Sequence, residues 1–360
     1  MKINLCRAGG MLAVIFLATA LTVAGRDGRS VYVLTSTNNP SGNNVVVFKL
    51  DTSGTPSLSL VDMLPTGGNG GVTGPNAGIL QFQDDLGAVA NYGSNSVSQL
   101  VRDDDVISIG RTINLAPGCA NPNSVALTKE HLFVVGANCA ESHAWPSGNV
   151  DGTVVSLTDP SAAQIAVGLS WAAVTQTDGF VLQLPLTGHG ALNGTSINVP
   201  LTSGVDNSVP LGAAFWGDIL GFTPAHSPDS FAIVDNTPTV YPIVGPTPPY
   251  PTNAPCWVAK GPGSVWYTGN SPGHAISIFF SDGQGGMFYK SITLPGPGMP
   301  TPTDITVSPD RKWLAVIYTA SSEGYVAVFA LDAYGDLSPT PVATSSSIGV
   351  AAFNGVAISQ

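Results

Sequence analysis

The feature that most constrains the fold is an internal repeat that recurs along the chain. Each copy has a short apolar strand, a turn, a second apolar strand, a loop rich in Gly and Asn, and a third strand. The clear copies occupy residues 76–101, 123–138, 221–244, 256–280 and 303–331, and a weaker copy occupies residues 162–186. A period of roughly 40–50 residues is typical of the four-stranded blades of a β-propeller. Since no segment reads as a convincing amphipathic helix, the sequence disfavours a two-domain α/β fold.

The two ends of the chain together form one further blade, which completes the ring. Residues 30–63 contain three strands without an innermost one, and residues 349–359 read as an innermost strand without a blade. Pairing of these two segments would close the ring and cover both sheet edges. The innermost strands are then expected near residues 77, 123, 164, 219, 256, 303 and 353. The sequence therefore predicts an all-β fold, a seven-bladed β-propeller of four-stranded blades, with six or eight blades as the alternatives.

The first residues have the pattern of a secretory signal peptide. Lys2 and Arg7 make the first segment positively charged, an apolar run extends from Met11 to Val23, and small residues follow. A membrane anchor is the alternative interpretation, but the run is shorter than the roughly 20 residues that span a bilayer. We predict a signal peptide at residues 1–25 and one propeller domain at residues 26–360. The mature protein is expected to be soluble, and secreted or periplasmic.

The charge of the chain limits its partners. The sequence has 23 acidic and 12 basic residues, which gives a net charge of -11. An acidic surface disfavours binding to nucleic acids and to anionic membranes. Charged residues are only 10% of the chain and 43% of its residues are hydrophobic, which argues against disorder. We expect a monomer that binds a small-molecule substrate or a glycan, and the sequence predicts neither a cofactor nor a metal.

Two cysteines have positions that favour a disulfide. Cys119 and Cys139 flank a segment that reads as two strands around a turn at Lys129-Glu130. Because their positions are symmetric about that turn, an antiparallel hairpin would place them opposite each other. An exported protein can keep such a bond, and free thiols are the alternative. Cys256 would then be a buried small residue outside the disulfide.

Three segments resemble a known family. The sequence GAVANYGSNSVSQLVRDDD (87–105) is similar to the strand–Asn-Tyr-Gly–strand signature of lactonase-like seven-bladed propellers, which include bacterial phosphogluconolactonase and fungal carboxy-muconate cyclase. VYVLTSTNNPSGNNVVVFKLDTSGTPS (31–57) and APCWVAKGPGSVWYTGN (254–270) resemble an exported branch of the family. The resemblance implies the propeller fold and a lactonase or cyclase activity. Its motifs specify blades, and a fold alone does not determine a reaction.

The arginines depart from what this resemblance implies. Family substrates carry phosphate or several carboxylates, which Arg, His and Glu in the central cleft are expected to hold. Here Arg311 falls in a turn of an inner strand, and Arg102 and Arg111 fall in outer strands of one blade. We therefore transfer no catalytic residue from the family, and a phosphorylated sugar lactone is disfavoured as the substrate.

The segment GANCAESHAWPSGNVDG (136–152) is the strongest local candidate for a site. It reads as a long loop between the second and third strands of its blade, and long loops in compact domains are often functional. Over the channel, Glu141 and His143 would form an acid/base pair and Trp145 an apolar wall. The alternative is a surface loop in which the histidine forms local hydrogen bonds and the tryptophan caps an apolar rim.

Two carboxylates are predicted at the starts of inner strands. Asp218, in AAFWGDILGF, and Asp304, in PTPTDITV, would enter the channel, where burial would raise the pKa of each and allow it to act as a base. Phe215 and Trp216 would form the floor of an apolar pocket that binds substrate. The alternative for both carboxylates is a structural role, in which they accept backbone hydrogen bonds that hold strands together.

Two residues in loops between second and third strands complete the candidates. His274 is a candidate catalytic residue, and Asn91 is a candidate for substrate binding. His143 and His274 could also bind a metal, but they lie on blades that are not adjacent and no His-x-His or His-x-x-x-His spacing supports this. One N-glycosylation sequon, at Asn193, matters only in a eukaryotic source.

Two classes of function remain open from the sequence. The first is an exported lactonase-like hydrolase or cycloisomerase that opens or closes a ring in a small, mostly neutral cyclic ester by general acid/base chemistry in the channel. The second is a non-catalytic propeller scaffold that binds a glycan, a peptide or a partner protein. A metal-dependent oxidase or hydrolase is a weaker third interpretation. Convergence of His143, Asp218 and His274 on one pocket would favour an enzyme.

Overall fold

The fold is an all-β propeller in the computed structural model. The structure describes residues 29–71, 78–157, 161–201, 208–225, 230–235, 237, 239–244, 255–271, 273–283, 285–294, 300–349 and 354–360. The predicted signal peptide, residues 1–25, lies outside the described residues. The strands form seven four-stranded antiparallel sheets, so the predicted number of blades is confirmed. No helix among the described residues is long and apolar enough to cross a membrane.

The first four blades contain these strands. Blade 1 has β1 (Val31–Ser36), β2 (Asn44–Asp51), β3 (Ser57–Pro65) and the C-terminal β28 (Asn354–Ser359). Blade 2 has β4 (Leu80–Gln83), β5 (Leu86–Asn91), β6 (Ser96–Asp103) and β7 (Val106–Asn114). Blade 3 has β8 (Ser124–Leu127), β9 (His131–Val135), β10 (Cys139–Ala144) and β11 (Val155–Ser156). Blade 4 has β12 (Ala162–Val167), β13 (Trp171–Gln176), β14 (Phe180–Pro185) and β15 (Ile197–Pro200).

The remaining three blades follow the same order. Blade 5 has β16 (Val209–Trp216), β17 (Ile219–Ala225), β18 (Ser230–Val234) and β19 (Val240–Val244). Blade 6 has β20 (Pro255–Lys260), β21 (Val265–Asn270), β22 (Ala275–Ser281) and β23 (Gly286–Thr293). Blade 7 has β24 (Thr301–Val307), β25 (Trp313–Ala320), β26 (Glu323–Ala330) and β27 (Ala343–Thr344). A 3-10 helix, Tyr92–Ser94, links β5 and β6.

The ring closes as the sequence predicts. The last strand, β28, pairs antiparallel with β1 and is the innermost strand of blade 1, and neighbouring inner strands contact one another around the ring. We call the end of the channel where each inner strand leads into its second strand the turn face, and the opposite end the loop face. One inner strand differs from the prediction. In blade 5 it is β16, and the strand at residue 219 is the second one.

The core lies between the blades. Each pair of neighbouring blades encloses an apolar cluster, because both faces of every inner, second and third strand are covered by the adjacent blades. This explains why second strands such as β9 and β25 read as continuous apolar runs rather than as alternating ones. The outer strand β3 is mostly exposed and carries Ser and Asp among its apolar residues. Burial thus decreases from the channel outward.

The predicted disulfide is present. Cys119 and Cys139 are bonded across a Cα–Cα distance of 5.6 Å, and both are buried. The bond joins the β7–β8 connection to the first residue of β10. The two cysteines therefore flank the β8–β9 hairpin on either side. Burial raises the pKa of the Cys256 thiol, which lies in the inner strand β20 and is half-buried.

Replacing both Cys119 and Cys139 by serine is expected to lower the free energy of unfolding by about 3 kcal/mol. The bond closes a loop with a sequence separation of 20, and a loop of that length restricts the unfolded chain by about this amount. Urea unfolding of the variant, and of wild type with and without a dithiol, measures the effect. Reduced wild type should approach the variant. A difference below about 1 kcal/mol between oxidised wild type and the variant would contradict the prediction.

Candidate active site

A small cavity occupies the central channel and extends to the turn face. Its volume is about 250 Å³. The walls come from the inner strands of blades 2 to 7, and the lining reaches the final or penultimate residues of several of them, including Leu127, Val167, Phe215, Lys260 and Val307. Three polar side chains lie deeper: Gln81, Gln164 and Asp304. The loop-face site that the sequence predicts does not coincide with this cavity.

Asp304 is the buried carboxylate of the cavity. It lies in the middle of β24 and is 5% exposed. Its Oδ2 accepts N–H bonds from Gly78 at 3.1 Å and Val356 at 3.2 Å, and its Oδ1 accepts one from Ile305 at 2.8 Å. Burial raises the pKa of Asp304 to about 7, although the three N–H groups partly offset this effect. The carboxylate therefore changes charge near neutral pH, and it also links blades 7, 1 and 2.

The three N–H donors also determine what this carboxylate can bind. A site for a cation surrounds the ion with oxygen atoms. Here backbone N–H groups, which carry a partial positive charge, already point at both carboxylate oxygens. Asp304 is therefore better suited to exchange a proton than to hold a metal. Oδ1 accepts a single N–H bond, which leaves it a lone pair for that exchange.

Three polar side chains surround the backbone of Gly78, the residue that donates to Asp304. A Cβ atom placed on Gly78 would lie 2.9 Å from Gln164 Nε2, 3.1 Å from Ser124 Oγ and 3.2 Å from Gln81 Nε2. Gly78 has φ of +66°, a conformation that glycine adopts readily. The two amides and the hydroxyl therefore pack directly against the Gly78 backbone, and any side chain at this position would collide with them.

Lys260 lies at the turn-face end of the cavity. Its Nζ donates to the carbonyls of Gly261 at 2.7 Å, Gly263 at 2.5 Å and Val265 at 3.2 Å, so the three ammonium protons are used within the protein. The ammonium lies 5.0 Å from the ring centre of Trp216 and 5.1 Å from that of Trp266. Burial, with a smaller contribution from Arg311, lowers the pKa of Lys260 to about 8. Lys260 therefore stabilises the β20–β21 turn.

Glu141 and His143 do not face the channel. They lie on the third strand, β10, and both are fully buried. Their side chains contact each other, with 2.9 Å between His143 Nε2 and Glu141 Oε1. Glu141 Oε2 accepts the N–H of Ala116, and His143 Nδ1 lies 3.1 Å from the Gly148 carbonyl. The predicted presentation of this pair over the channel is wrong, because residues 139–144 form a strand where a loop was expected.

Trp145 and Asn91 are also buried away from the cavity, where their contacts stabilise the fold. Trp145 is 8% exposed and packs with Ile113 and Leu132 between blades 2 and 3, away from the cavity. Asn91 is fully buried at the end of β5. Its Oδ1 accepts the Thr66 hydroxyl at 2.8 Å and its Nδ2 donates to Ser98 Oγ at 2.8 Å. The predictions of a channel wall and of a substrate-binding amide are therefore wrong for these two positions.

Asp218 lies on the turn face and not at the start of an inner strand. It is in the β16–β17 turn, where it accepts the N–H groups of Leu169 and Ser170 and the Ser170 hydroxyl at 2.8–2.9 Å. The prediction of a channel carboxylate is wrong here, and the structural alternative describes the contacts. Phe215 does line the cavity and packs edge-on against Trp171, whereas Trp216 is 41% exposed.

His274 lies in the loop between β21 and β22, as the sequence predicts, but no other candidate joins it. Its Nδ1 lies 3.0 Å from the Pro300 carbonyl, so this nitrogen carries the proton and donates. Among the described residues, one group has the spacing of metal ligands: Cys119, Cys139 and Glu141. The two sulfur atoms of that group are bonded to each other, so they are not thiolate ligands.

Of the predicted site residues, the cavity brings together Asp304 and Phe215. Sequence reasoning missed Gln81, Gln164 and Lys260, which line the cavity. A signal was present for Gln164 and Lys260, because each is the polar residue of a short inner strand that is otherwise small or apolar, AAQIAV (162–167) and PCWVAK (255–260). In a propeller these strands surround the channel. A polar side chain in an innermost strand is therefore as good a candidate for a functional site as one in a loop.

Comparison with solved structures identifies the fold. No protein-family model and no curated protein matches the sequence. A functionally unknown protein from Desulfotomaculum acetoxidans is 14% identical, with a TM-score of 0.66 and coverage of 92% of this chain and 99% of that one. A protein from Lactobacillus plantarum is 14% identical, with a TM-score of 0.64 and coverage of 88% and 98%. The periplasmic gluconolactonase of Pseudomonas aeruginosa is 15% identical, with a TM-score of 0.63 and coverage of 92% and 99%.

Alignments of this length include whole blades around the entire ring. Identities of 14–15% carry the architecture and not the chemistry of any one of these proteins. The chain is a seven-bladed β-propeller with the fold of the lactonase-like propellers, as its sequence resemblance implied.

Proposed function

We propose that this protein is an exported hydrolase of the lactonase type, which opens a small neutral cyclic ester in the channel with Asp304 as general base. The observation that supports it is the position of Asp304 in a cavity that also contains two glutamine amides. The similarity to a gluconolactonase agrees with this class of reaction. A base is most effective when its pKa lies near the working pH, and burial brings the pKa of Asp304 to about 7.

The reaction would use one water molecule. The ionised Asp304 takes a proton from this water, and the water oxygen attacks the carbonyl carbon of the ester. A tetrahedral oxyanion forms, the bond from the carbonyl carbon to the ring oxygen breaks, and the ring oxygen receives the proton. The product is a hydroxy acid. The amides of Gln81 and Gln164 line the same cavity as Asp304, where they could donate to the oxyanion.

The size and the charge of the cavity define the substrate. A volume of about 250 Å³ is below the roughly 300–1,000 Å³ of pockets for drug-sized ligands, so the ring is small. No arginine lines the cavity in the described part of the chain, and the protons of Lys260 are bound to carbonyls. A phosphate or a carboxylate would therefore lack the charged donors that such groups require. This supports a neutral lactone.

Export agrees with the same proposal. The buried disulfide between Cys119 and Cys139 is the kind of bond that persists in oxidising compartments. The predicted signal peptide would direct the chain there. We therefore propose a secreted or periplasmic location.

Replacing Asp304 by asparagine is expected to lower kcat/KM for lactone hydrolysis by about 10²–10⁴-fold, because this is the usual contribution of a general base. Wild-type kcat/KM should rise with pH through an apparent pKa near 7, since the base must be ionised. A panel of δ-valerolactone, glucono-δ-lactone and a phosphorylated sugar lactone, followed by proton release, measures both effects.

Asp218→Asn is the matched control, because this carboxylate lies on the turn face outside the cavity. It should keep wild-type kcat/KM. Equal losses in the two variants, or hydrolysis by Asp304→Asn at the wild-type rate, would remove Asp304 from the reaction. Faster turnover of the phosphorylated lactone than of the neutral ones would contradict the proposed substrate class.

A second candidate function is glycan binding on the turn face, and exposed apolar side chains there favour it. Leu169 is 81% exposed and Trp216 41% exposed, and their two turns contact each other through Leu169 N–H and the Gly217 carbonyl. An exposed indole offers a flat apolar surface with a polar edge, which suits a sugar ring. Quenching or enhancement of tryptophan fluorescence by a glycan, lost in Trp216→Ala, would support a scaffold over an enzyme if lactones are not hydrolysed.

A further inference from the structure

We propose that the turn face beside the cavity binds an apolar chain attached to the ring of the substrate, so that the substrate class is a lactone with an alkyl substituent. This inference deepens the proposed function and rests on the same cavity. A cavity of about 250 Å³ holds a small ring, and a long substituent on that ring has to leave the channel. Because the cavity extends to the turn face, the side chains at that end meet the substituent.

Two neighbouring turns carry exposed apolar side chains beside the cavity. Leu169 lies in the β12–β13 turn and Trp216 at the end of β16, and both are exposed. Each is close in sequence to a residue that lines the cavity, Val167 or Phe215. The two turns pack together, because Leu169 Cδ1 lies 3.9 Å from the position of a Cβ on Gly217 and the Leu169 N–H bonds to the Gly217 carbonyl. We call the two exposed side chains the Leu169–Trp216 patch.

The apolar character of this patch is local. The turns from the inner to the second strand are charged in three other blades, where they contain Asp84 and Asp85 (blade 2), Lys129 and Glu130 (blade 3), and Asp310, Arg311 and Lys312 (blade 7). Polar residues are usual in exposed turns, so the fold itself does not require a leucine and a tryptophan here. The apolar surface is confined to the side of the opening that blades 4 and 5 form. This fits one chain that leaves the cavity in one direction.

The polar groups beside the patch already have partners within the protein. The Lys260 ammonium, 5.0 Å from the centre of the Trp216 ring, donates to three carbonyls. Asp218 accepts two N–H groups at Oδ1 and the Ser170 hydroxyl at Oδ2. The hydroxyl groups of a sugar need donors and acceptors beside the aromatic ring, whereas an alkyl chain needs none. The patch therefore suits an alkyl chain better than a glycan.

The test compares δ-valerolactam with its 6-propyl and 6-pentyl derivatives, because lactams resist hydrolysis and keep the shape of the ring. Ligand-observed NMR with the full mature chain gives each Kd. A fully buried methylene raises affinity about fourfold, and one that lies on a surface is expected to raise it about twofold. Wild type should therefore bind the pentyl derivative about 10–30-fold more tightly than the parent lactam.

Three variants locate the effect, and the ratio of the two Kd values within each variant corrects for changes in binding of the ring. Leu169→Asn and Trp216→Ser should each lower this ratio at least about threefold, and the double variant should bring it below about threefold. Val106→Asn is the matched control and should keep the wild-type ratio. Val106 is an exposed apolar residue on the outer strand β7 and does not line the cavity.

The matching lactones, δ-valerolactone, δ-octanolactone and δ-decalactone, separate this inference from the proposed reaction. We expect wild-type kcat/KM to rise along this series by a similar factor. If the lactams bind with the expected ratio but no lactone is hydrolysed, the patch stands as a binding site and the hydrolase proposal fails. If the lactones are hydrolysed with equal kcat/KM and the lactams bind equally well, the patch is overturned and the hydrolase proposal stands. A wild type that binds no lactam, a double variant that keeps the ratio, or a response of Trp216 fluorescence to a glycan and to no alkyl lactam also overturns the patch.

Discussion

Replacing Glu141 by alanine is expected to lower the free energy of unfolding by about 3–5 kcal/mol, the usual cost of removing one partner of a buried pair. Glu141 and His143 are fully buried and share a hydrogen bond of 2.9 Å. His143 Nδ1 donates to the Gly148 carbonyl, so Glu141 Oε1 is the partner of the other ring nitrogen, Nε2. Without the carboxylate, the imidazole and the Ala116 N–H would both lose their partner.

Urea unfolding measures this change, and two variants make it specific. Glu141→Gln can still accept from Ala116 and donate to His143, so it should lose less than half as much as Glu141→Ala. Glu130→Ala removes an exposed carboxylate of the same blade and should change stability by less than about 0.5 kcal/mol. A loss below about 1 kcal/mol in Glu141→Ala would show that the pair contributes little to the fold.

The same variant distinguishes the site expected from the sequence from the site that the structure shows. Glu141 and His143 lie on β10, a third strand, and do not line the channel cavity. We expect Glu141→Ala to keep the kcat/KM of its folded fraction. A loss of turnover that exceeds the loss of folded protein would return the pair to the list of catalytic candidates.

The architecture was predictable because it depends on patterns that repeat. Each blade needs second and third strands that are apolar on both faces, and this requirement recurs with one period along the chain. The closure by β28 followed from the same reasoning, since an unpaired inner strand at one end matched a blade without one at the other. The disulfide followed from the symmetry of its two cysteines about a hairpin turn.

The site was not predictable in the same way. If a strand is assigned to the wrong position in its blade, its residues are placed in the wrong part of the propeller. In blade 5 the inner strand is β16, so Asp218 moves from the channel to a turn. In blade 3 the sequence CAESHA forms strand β10, although its Glu and His favour the prediction of a loop. These two residues are spaced by two and share one face of a strand, where each satisfies the other. A pair of buried polar residues resembles a polar loop in the sequence.

The wild-type protein is expected to lose about 4 kcal/mol of stability as the pH rises from about 4 to about 7, and Asp304→Asn is expected to lose most of this dependence. The pKa of Asp304 is about 7 in the folded protein and near 3.8 in the unfolded chain. Between these values the folded state holds a proton that the unfolded state releases, so raising the pH favours unfolding. Each unit of difference in pKa corresponds to about 1.4 kcal/mol.

The acidic groups whose pKa is lowered complete their contribution near the lower edge of this range, and Lys260 acts above it. Hydrogen bonds lower the pKa of Asp105 and Glu323 in the folded protein, so their contribution is gained as the pH rises through their acidic range. The pKa of Lys260 is lowered from 10.5 to about 8, so the folded state releases this proton first and stability recovers above pH 8. The decrease between pH 4 and 7 therefore reports mainly on Asp304.

Urea unfolding at half-unit intervals from pH 4 to pH 8 measures this decrease, with Asp62→Asn as the control for removing an exposed carboxylate. Asp62 lies on the outer strand β3, and its loss should leave the slope unchanged. Asp304 lies at the junction of blades 7, 1 and 2, where the N–H groups of Gly78 and Val356 only partly offset the cost of burying its charge. The charged form that the proposed reaction needs is thus the form that destabilises the ring closure. A wild-type slope that matches that of Asp304→Asn would show that this carboxylate is ionised throughout, and would remove the physical basis for its role as a base near neutral pH.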